Sequence, residues 1–150
     1  MSLQADPTAL LAECSRDEIL RGRLKLWQPL RGYRFSVDAL LLAHFASDGR
    51  ADAEGEAADL GAGCGVVGLA LALACPRLRV SLVELGGRLA ALARLNVAGN
   101  ALSDRVAVHE ADLRRPRGSL PEGGLALVVS NPPFRAAAAG ELKGILGVAE

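Results

Sequence analysis

The chain has 150 residues, about half of them apolar and under a quarter charged, with 17 cations balanced by 17 anions. That length suits one domain with one core, and the zero net charge excludes a global basic field that would draw in nucleic acid. Cys14, Cys64 and Cys75 are odd in number and lack metal-ligand spacing, so neither a disulfide framework nor a zinc site is expected, and a reducing cytoplasm is.

Residues 7–20 predict a short helix. Gly22 to Pro29 alternates as a half-buried strand, Leu30-Arg31-Gly32 supplies a turn, and Tyr33-Arg34-Phe35 alternates again, so a β-hairpin is expected here. Trp27, Tyr33 and Phe35 are expected to pack that hairpin. Between Arg16 and Phe35 six cations face two anions, a local excess that suits phosphate contacts or a solvated face equally. Ser36 reads as the N-cap of an apolar helix from Val37 to Phe45. Asp48 to Glu56 reads as an exposed, acidic, glycine-containing loop. From Ala57 the pattern becomes α/β: a short strand to Leu60, a helix from Val66 to Ala74 stopped by Pro76, and a strand from Leu78 to Leu85. A helix from Arg88 to Ala98 follows, then a strand from Arg105 to Glu110, a polar loop from Leu113 to Gly124, and an apolar strand from Leu125 to Ser130. Such alternation predicts a parallel sheet whose strand C-termini share one edge, where ligands bind. The apolar run Val66 to Cys75 is far shorter than the ~20 residues that span a bilayer, and no secretion signal is expected at the N-terminus. His44 and His109 are expected to be structural.

Asp59, Glu84, Asp112 and Asn131 all fall at predicted strand ends. The turn Asp59-Leu60-Gly61-Ala62-Gly63-Cys64-Gly65 joins strand to helix with glycines that let backbone N–H groups approach a ligand. Gly63-x-Gly65-x-x-Gly68 also satisfies the dinucleotide pattern, so a nicotinamide-dependent oxidoreductase is a rival reading. The carboxylates favour another. Glu84 can accept from ribose hydroxyls, Asp112 from an adenine amino group, and Asp59 from an ammonium group, which suits an adenosine cofactor without a pyrophosphate.

Asn131-Pro132-Pro133-Phe134 names the chemistry. The lone pair of an exocyclic amine on a flat ring is delocalised, which makes it a poor nucleophile. Two acceptors on its hydrogens, Asn131 Oδ1 and the Pro132 carbonyl, can rotate and pyramidalise it. The prolines stiffen the turn and remove competing N–H donors, and Phe134 can stack on the ring for ~1–3 kcal/mol per base. Holding the amine in line with a sulfonium methyl supplies most of the remaining acceleration.

These residues resemble a class I S-adenosylmethionine-dependent methyltransferase of the Asn-Pro-Pro-Phe/Tyr amino-methylating type. The segment from Gly32 to Ala43 resembles bacterial tRNA(valine) adenine-N6 methyltransferases, and the likeness runs from about Arg21 to Phe134. The resemblance implies a Rossmann-like sheet with S-adenosylmethionine held by Asp38, Asp59, Gly61, Ala62, Gly63, Gly65, Glu84, Leu85, Asp112, Leu113 and Asn131. It implies Asn131, Pro132, Pro133 and Phe134 as the catalytic set, with residues 1–48 covering the cofactor and 57–150 forming the core of one integrated domain. It further implies an RNA substrate, most directly tRNA adenine N6 with the base flipped into the pocket, and neither metal nor membrane. Guanine N2 of ribosomal RNA and a protein glutamine amide share the same planar NH₂ geometry. A non-catalytic remnant of the fold is the remaining alternative. The family sheet has seven strands and four are legible, so a truncated form of a longer protein is expected, or a cover for the last strand's open edge. Arg21, Arg23, Lys25, Arg31, Arg34, Arg114, Arg115 and Arg117 are the candidate phosphate contacts.

Overall fold

A computed structural model describes residues 7–32, 34–115, 120–121 and 123–133. The chain opens with a helical turn α1 (Pro7–Leu11) and an antiparallel hairpin of β1 (Cys14–Ile19) and β2 (Leu24–Pro29). Helix α2 (Val37–Ser47) leads into β3 (Gly55–Leu60), α3 (Val66–Ala74), β4 (Leu78–Glu84), α4 (Gly87–Gly99), β5 (Val106–Glu110) and β6 (Leu125–Ser130). The last four strands form one parallel sheet in the order β5-β4-β3-β6. This is the class I methyltransferase arrangement of a Rossmann-like sheet, preceded by a hairpin and a helix.

The N-terminus departs from the expectation. The helix ends at Leu11, and Cys14–Ile19 is a strand whose side chains alternate between half-buried and exposed. Its partner is β2, so the hairpin turns at Leu20, Arg21 and Gly22, not at residues 30–32. All three have positive φ, at 52°, 58° and 78°. Leu and Arg adopt that region only under tertiary constraint, which no local turn rule anticipates. Ser36 does stand at the N-cap of α2 with an extended backbone, but its hydroxyl donates to Asp38 Oδ2 at 3.2 Å instead of capping a backbone N–H. Among the described residues β6 is an edge strand, with Val128 48% exposed.

Helices α2, α3 and α4 share a core with one face of the sheet. Leu69 and Leu71 of α3, Ala93 and Val97 of α4, and Ala39 and Ala43 of α2 pack with Ala57, Val80, Leu82, Val106 and Val129. Hydrophobic burial of this kind is worth ~25 cal/mol per Å². Leu24 and Leu26 of β2 are fully buried in the same cluster, so the hairpin belongs to this core.

The edge of β2 is closed by side chains. Asn96 accepts from the Trp27 N–H at 2.7 Å and donates to the Trp27 carbonyl at 2.9 Å. One turn later Asn100 repeats this on Lys25, accepting at 2.9 Å and donating at 2.6 Å. Two amides four residues apart lie on one helix face. Here they imitate an adjacent strand and satisfy backbone groups that would otherwise be orphaned.

Gly68 sets the distance between α3 and the sheet. A Cβ there would lie 2.2 Å from Leu82 Cδ2 and 3.2 Å from Asp59 Cβ. Leu82 is fully buried and has little room to yield. Gly68→Ala is expected to destabilise the protein by about 1–3 kcal/mol through overpacking, despite alanine's better helix propensity. A lower denaturation midpoint at unchanged slope is the signature; an unchanged midpoint would show that the helix shifts freely. Among the described residues no helix is long and apolar enough to cross a membrane, and no cluster of His, Cys, Asp and Glu suits a metal.

Candidate functional site

The C-terminal ends of β3 and β6 open onto a cleft. Asp59, Gly61, Ala62 and Gly63 line one wall, and Cys64, Val66 and Val67 continue it at the start of α3. Asn131 closes the side beyond β6, while Phe35 and Ala39, flanking the start of α2, form the roof. The fold therefore brings the glycine turn and the Asn-Pro-Pro segment together from residues some 70 apart in the chain. Ser130 fixes that junction by donating its hydroxyl to the Leu60 carbonyl at 2.8 Å.

The turn is held by its neighbours. The Gly61 and Ala62 N–H groups donate to the Val83 carbonyl at 2.9 and 3.0 Å. Gly63 and Gly65 have φ of 58° and 94°, and Gly65 is the N-cap of α3. A Cβ at Gly65 would also come within 2.9 Å of Leu82 Cδ1.

The three strand-end carboxylates sit in different environments. Asp59 is 1% exposed, and its Oδ2 accepts from the Gly68 N–H at 2.8 Å. Among the described residues that is its only hydrogen bond, so Oδ1 keeps its acceptor capacity where the side chain borders the cleft. Burial, with a smaller push from the Glu84 charge, raises its pKa to about 7 against the pull of the Gly68 N–H. Glu84 is 7% exposed and accepts from the Gly63 and Gly86 N–H groups, both at 2.7 Å. Each oxygen retains a second lone pair for a ligand hydroxyl. Asp112 is locked by its own loop: the Arg114 guanidinium donates to both oxygens, at 2.6 to 3.0 Å, and its N–H donates to Oδ1 at 2.9 Å. Those hydrogen bonds depress its pKa to about 2.

The remaining sequence candidates divide. Asp38 is exposed, accepts from the Ser36 hydroxyl and lies one residue before Ala39, which lines the cleft. Leu85 and Leu113 are exposed by 44% and 43%, and Pro132 and Pro133 are exposed beyond Asn131. Neither Asp112 nor Leu113 lines the cleft. Phe134, Tyr33 and Arg117 lie outside the described residues. Phe35, read from sequence as hairpin packing, packs on the core cluster that holds Leu24 and Leu26 of β2, and it also lines the cleft. It is carried there by Arg34, whose guanidinium donates to Ser15 Oγ, the Pro29 carbonyl and Asp17 at 2.9, 2.7 and 3.3 Å. Cys64 is buried, which pushes its thiol up to about 11, so it supplies no thiolate nucleophile at neutral pH.

A glycine turn, a buried acid beside it and an Asn-Pro-Pro segment across the same sheet edge define the class I S-adenosylmethionine-dependent methyltransferase type. Residues 36–145 match the model of the methyltransferase small domain family, and the chain belongs to that family. It is 42% identical over 98 residues to the ribosomal RNA small subunit methyltransferase C of Ectopseudomonas mendocina, covering 64% of this chain and 26% of the relative. It is 33% identical over 107 residues to the tRNA1(Val) (adenine(37)-N6)-methyltransferase of Porphyromonas gingivalis, covering 67% of this chain and 41% of the relative. Release factor glutamine methyltransferases match at 37% identity. Among solved structures, a T. thermophilus 16S rRNA N2 methyltransferase in complex with AdoMet and guanosine superposes with a TM-score of 0.65 at 22% identity, over 84% of this chain and 34% of that one. The chain thus spans between about a quarter and two fifths of the length of these curated relatives.

Proposed function

We propose that the protein transfers a methyl group from S-adenosylmethionine to an exocyclic amino group of a nucleic acid base, adenine N6 of a tRNA. The observation that carries this reading is Asn131 in one cleft with Asp59 and the glycine turn. The residues fit the cofactor: Asp59 offers an acceptor to its ammonium group and Glu84 offers lone pairs to its ribose. When bound, the cofactor supplies an electrophilic methyl group on a cationic sulfur. This chain's residues do the rest. Asn131 Oδ1 and the Pro132 carbonyl accept from the substrate NH₂ and orient its lone pair along the transfer line. The proton is lost after the nitrogen has become cationic, so no strong base is needed.

RNA as the substrate is supported by the hairpin. Arg16, Arg21, Arg23, Lys25 and Arg31 are exposed and make no ion pair among the described residues. Arg34 is instead committed to Asp17, and Arg114 to Asp112. Reversing Arg21, Arg23 and Lys25 to Glu is expected to weaken RNA binding at least tenfold and to flatten the log–log salt slope by roughly 2. An unchanged slope would remove the hairpin from the interface. A glutamine amide is the second reading, favoured by the release factor relatives. Incubating the full-length protein with total RNA, candidate protein substrates and methyl-labelled cofactor decides between them. N6-methyladenosine in digested tRNA is the expected product. N2-methylguanosine would move the assignment to that base, and label in peptide alone would end the nucleic-acid reading.

A further inference from the structure

We propose that Asn96 is a positioning residue for the cofactor loop, one buried amide holding the Cys64 carbonyl and the hairpin strand β2 together. Its functional meaning rests on the cofactor reading above. Asn96 lies in the last turn of α4 and is 1% exposed. Its Nδ2 donates to the Cys64 carbonyl at 2.9 Å and to the Trp27 carbonyl at 2.9 Å, while its Oδ1 accepts from the Trp27 N–H at 2.7 Å. Both amide hydrogens are used. The partners also fix the orientation of the group, because two carbonyls require the NH₂ side and one N–H requires the oxygen.

The Cys64 carbonyl stands between Gly63 and Gly65, both in the left-handed region, where the backbone has little conformational resistance of its own. The loop's other tethers run to β4, through Val83 and Glu84, and to β6, through Ser130. Among the described residues, Asn96 is the side chain that holds it from the α4 side. Moving the hairpin therefore pulls on the same amide that sets the loop. Whatever factor the Trp27 contact of Asn96 adds to ligand affinity, the ligand adds to that contact in return.

Asn100 provides a control within the same helix. It brackets Lys25 as Asn96 brackets Trp27, and its third bond goes to the Asn96 carbonyl, not to the loop. Asn96→Ala and Asn100→Ala should both lower the melting temperature. Titration with S-adenosylhomocysteine should show about tenfold weaker binding for Asn96→Ala and less than about twofold for Asn100→Ala. Equal weakening in both, or none in Asn96→Ala, overturns the proposal. Amide exchange without ligand gives a second reading. The Gly63 and Gly65 amides should exchange faster in Asn96→Ala and unchanged in Asn100→Ala; unchanged exchange in both overturns the positioning role. If the unsubstituted protein fails to bind S-adenosylhomocysteine, the cofactor reading falls, and exchange alone still decides what Asn96 holds. Should Asn96→Ala not fold, exchange in the unsubstituted chain serves. The Trp27, Gly63 and Gly65 amides are expected to open with a common free energy, and independent opening defeats the coupling.

Discussion

Asp59→Asn is expected to weaken S-adenosylhomocysteine binding by about 10- to 100-fold while making the protein more stable at pH 8. The two effects have one cause. Burial raises the Asp59 carboxyl from 3.8 to about 7, so the folded state holds a proton that the unfolded chain releases. Stability from this group is complete below about pH 4, drains as pH rises toward 7, and is gone above it. At pH 8 the native protein carries a buried, singly hydrogen-bonded carboxylate. An amide of the same shape can still accept from Gly68 and has no charge to desolvate, so the variant should gain on the order of 2 kcal/mol there. Its melting temperature should also lose the decline from pH 5 to 8. Ligand affinity runs the other way. The ionised carboxylate is the form that attracts an ammonium group, so affinity of the unsubstituted protein should rise close to tenfold per pH unit below 7 and then level off. Affinity that stays flat from pH 5 to 8 would separate Asp59 from the ligand.

Asn131→Ala should lower the rate of methyl transfer by about a hundredfold or more, as losing one oriented hydrogen-bonding group at a reacting centre commonly does. S-adenosylhomocysteine affinity should stay within about threefold, because the loss falls on the transition state. Asn131→Asp keeps an acceptor oxygen at the same place and should retain more activity than alanine. Single-turnover transfer by the full-length protein, with affinity measured in parallel, checks all three. Half-buried Asn131 makes no protein hydrogen bond among the described residues, so a stability loss is not expected to confuse the result. Equal activity of the alanine variant and the parent would leave the proposed grip on the amine without support.

The core from β3 onward was legible because its signals are local. Apolar runs with β-branched residues mark β4 and β6, Pro76 stops α3, and Gly61, Gly63 and Gly65 announce the turn. The hairpin was misplaced because its turn is made by Leu20 and Arg21 at positive φ, where glycine or asparagine would have been the readable choice. The segment 14–19 is a strand because β2 pairs with it, a tertiary cause that propensity does not carry. Asp112 was expected to face a ligand, yet a partner two residues away engages both its oxygens. Asn100 is the C-cap of α4. Its second role, bracketing Lys25, depends on a strand 75 residues away. The spacing of Asn96 and Asn100 is visible in sequence, but their common partner is not.

β3 stands at the middle of the sheet, with β4 and β5 on one flank and β6 on the other. The carboxylate bonds of the glycine turn, from the Gly63 N–H to Glu84 and from the Gly68 N–H to Asp59, come from the ends of β4 and β3. Asn131 arrives from the opposite flank. On the proposed assignment, the seam between β3 and β6 would part the residues that hold the methyl donor from Asn131, which grips the recipient. On that assignment a change of recipient would need only the segment C-terminal to β6 rewritten, which suits a chain whose relatives are named for ribosomal RNA, transfer RNA and release factors alike.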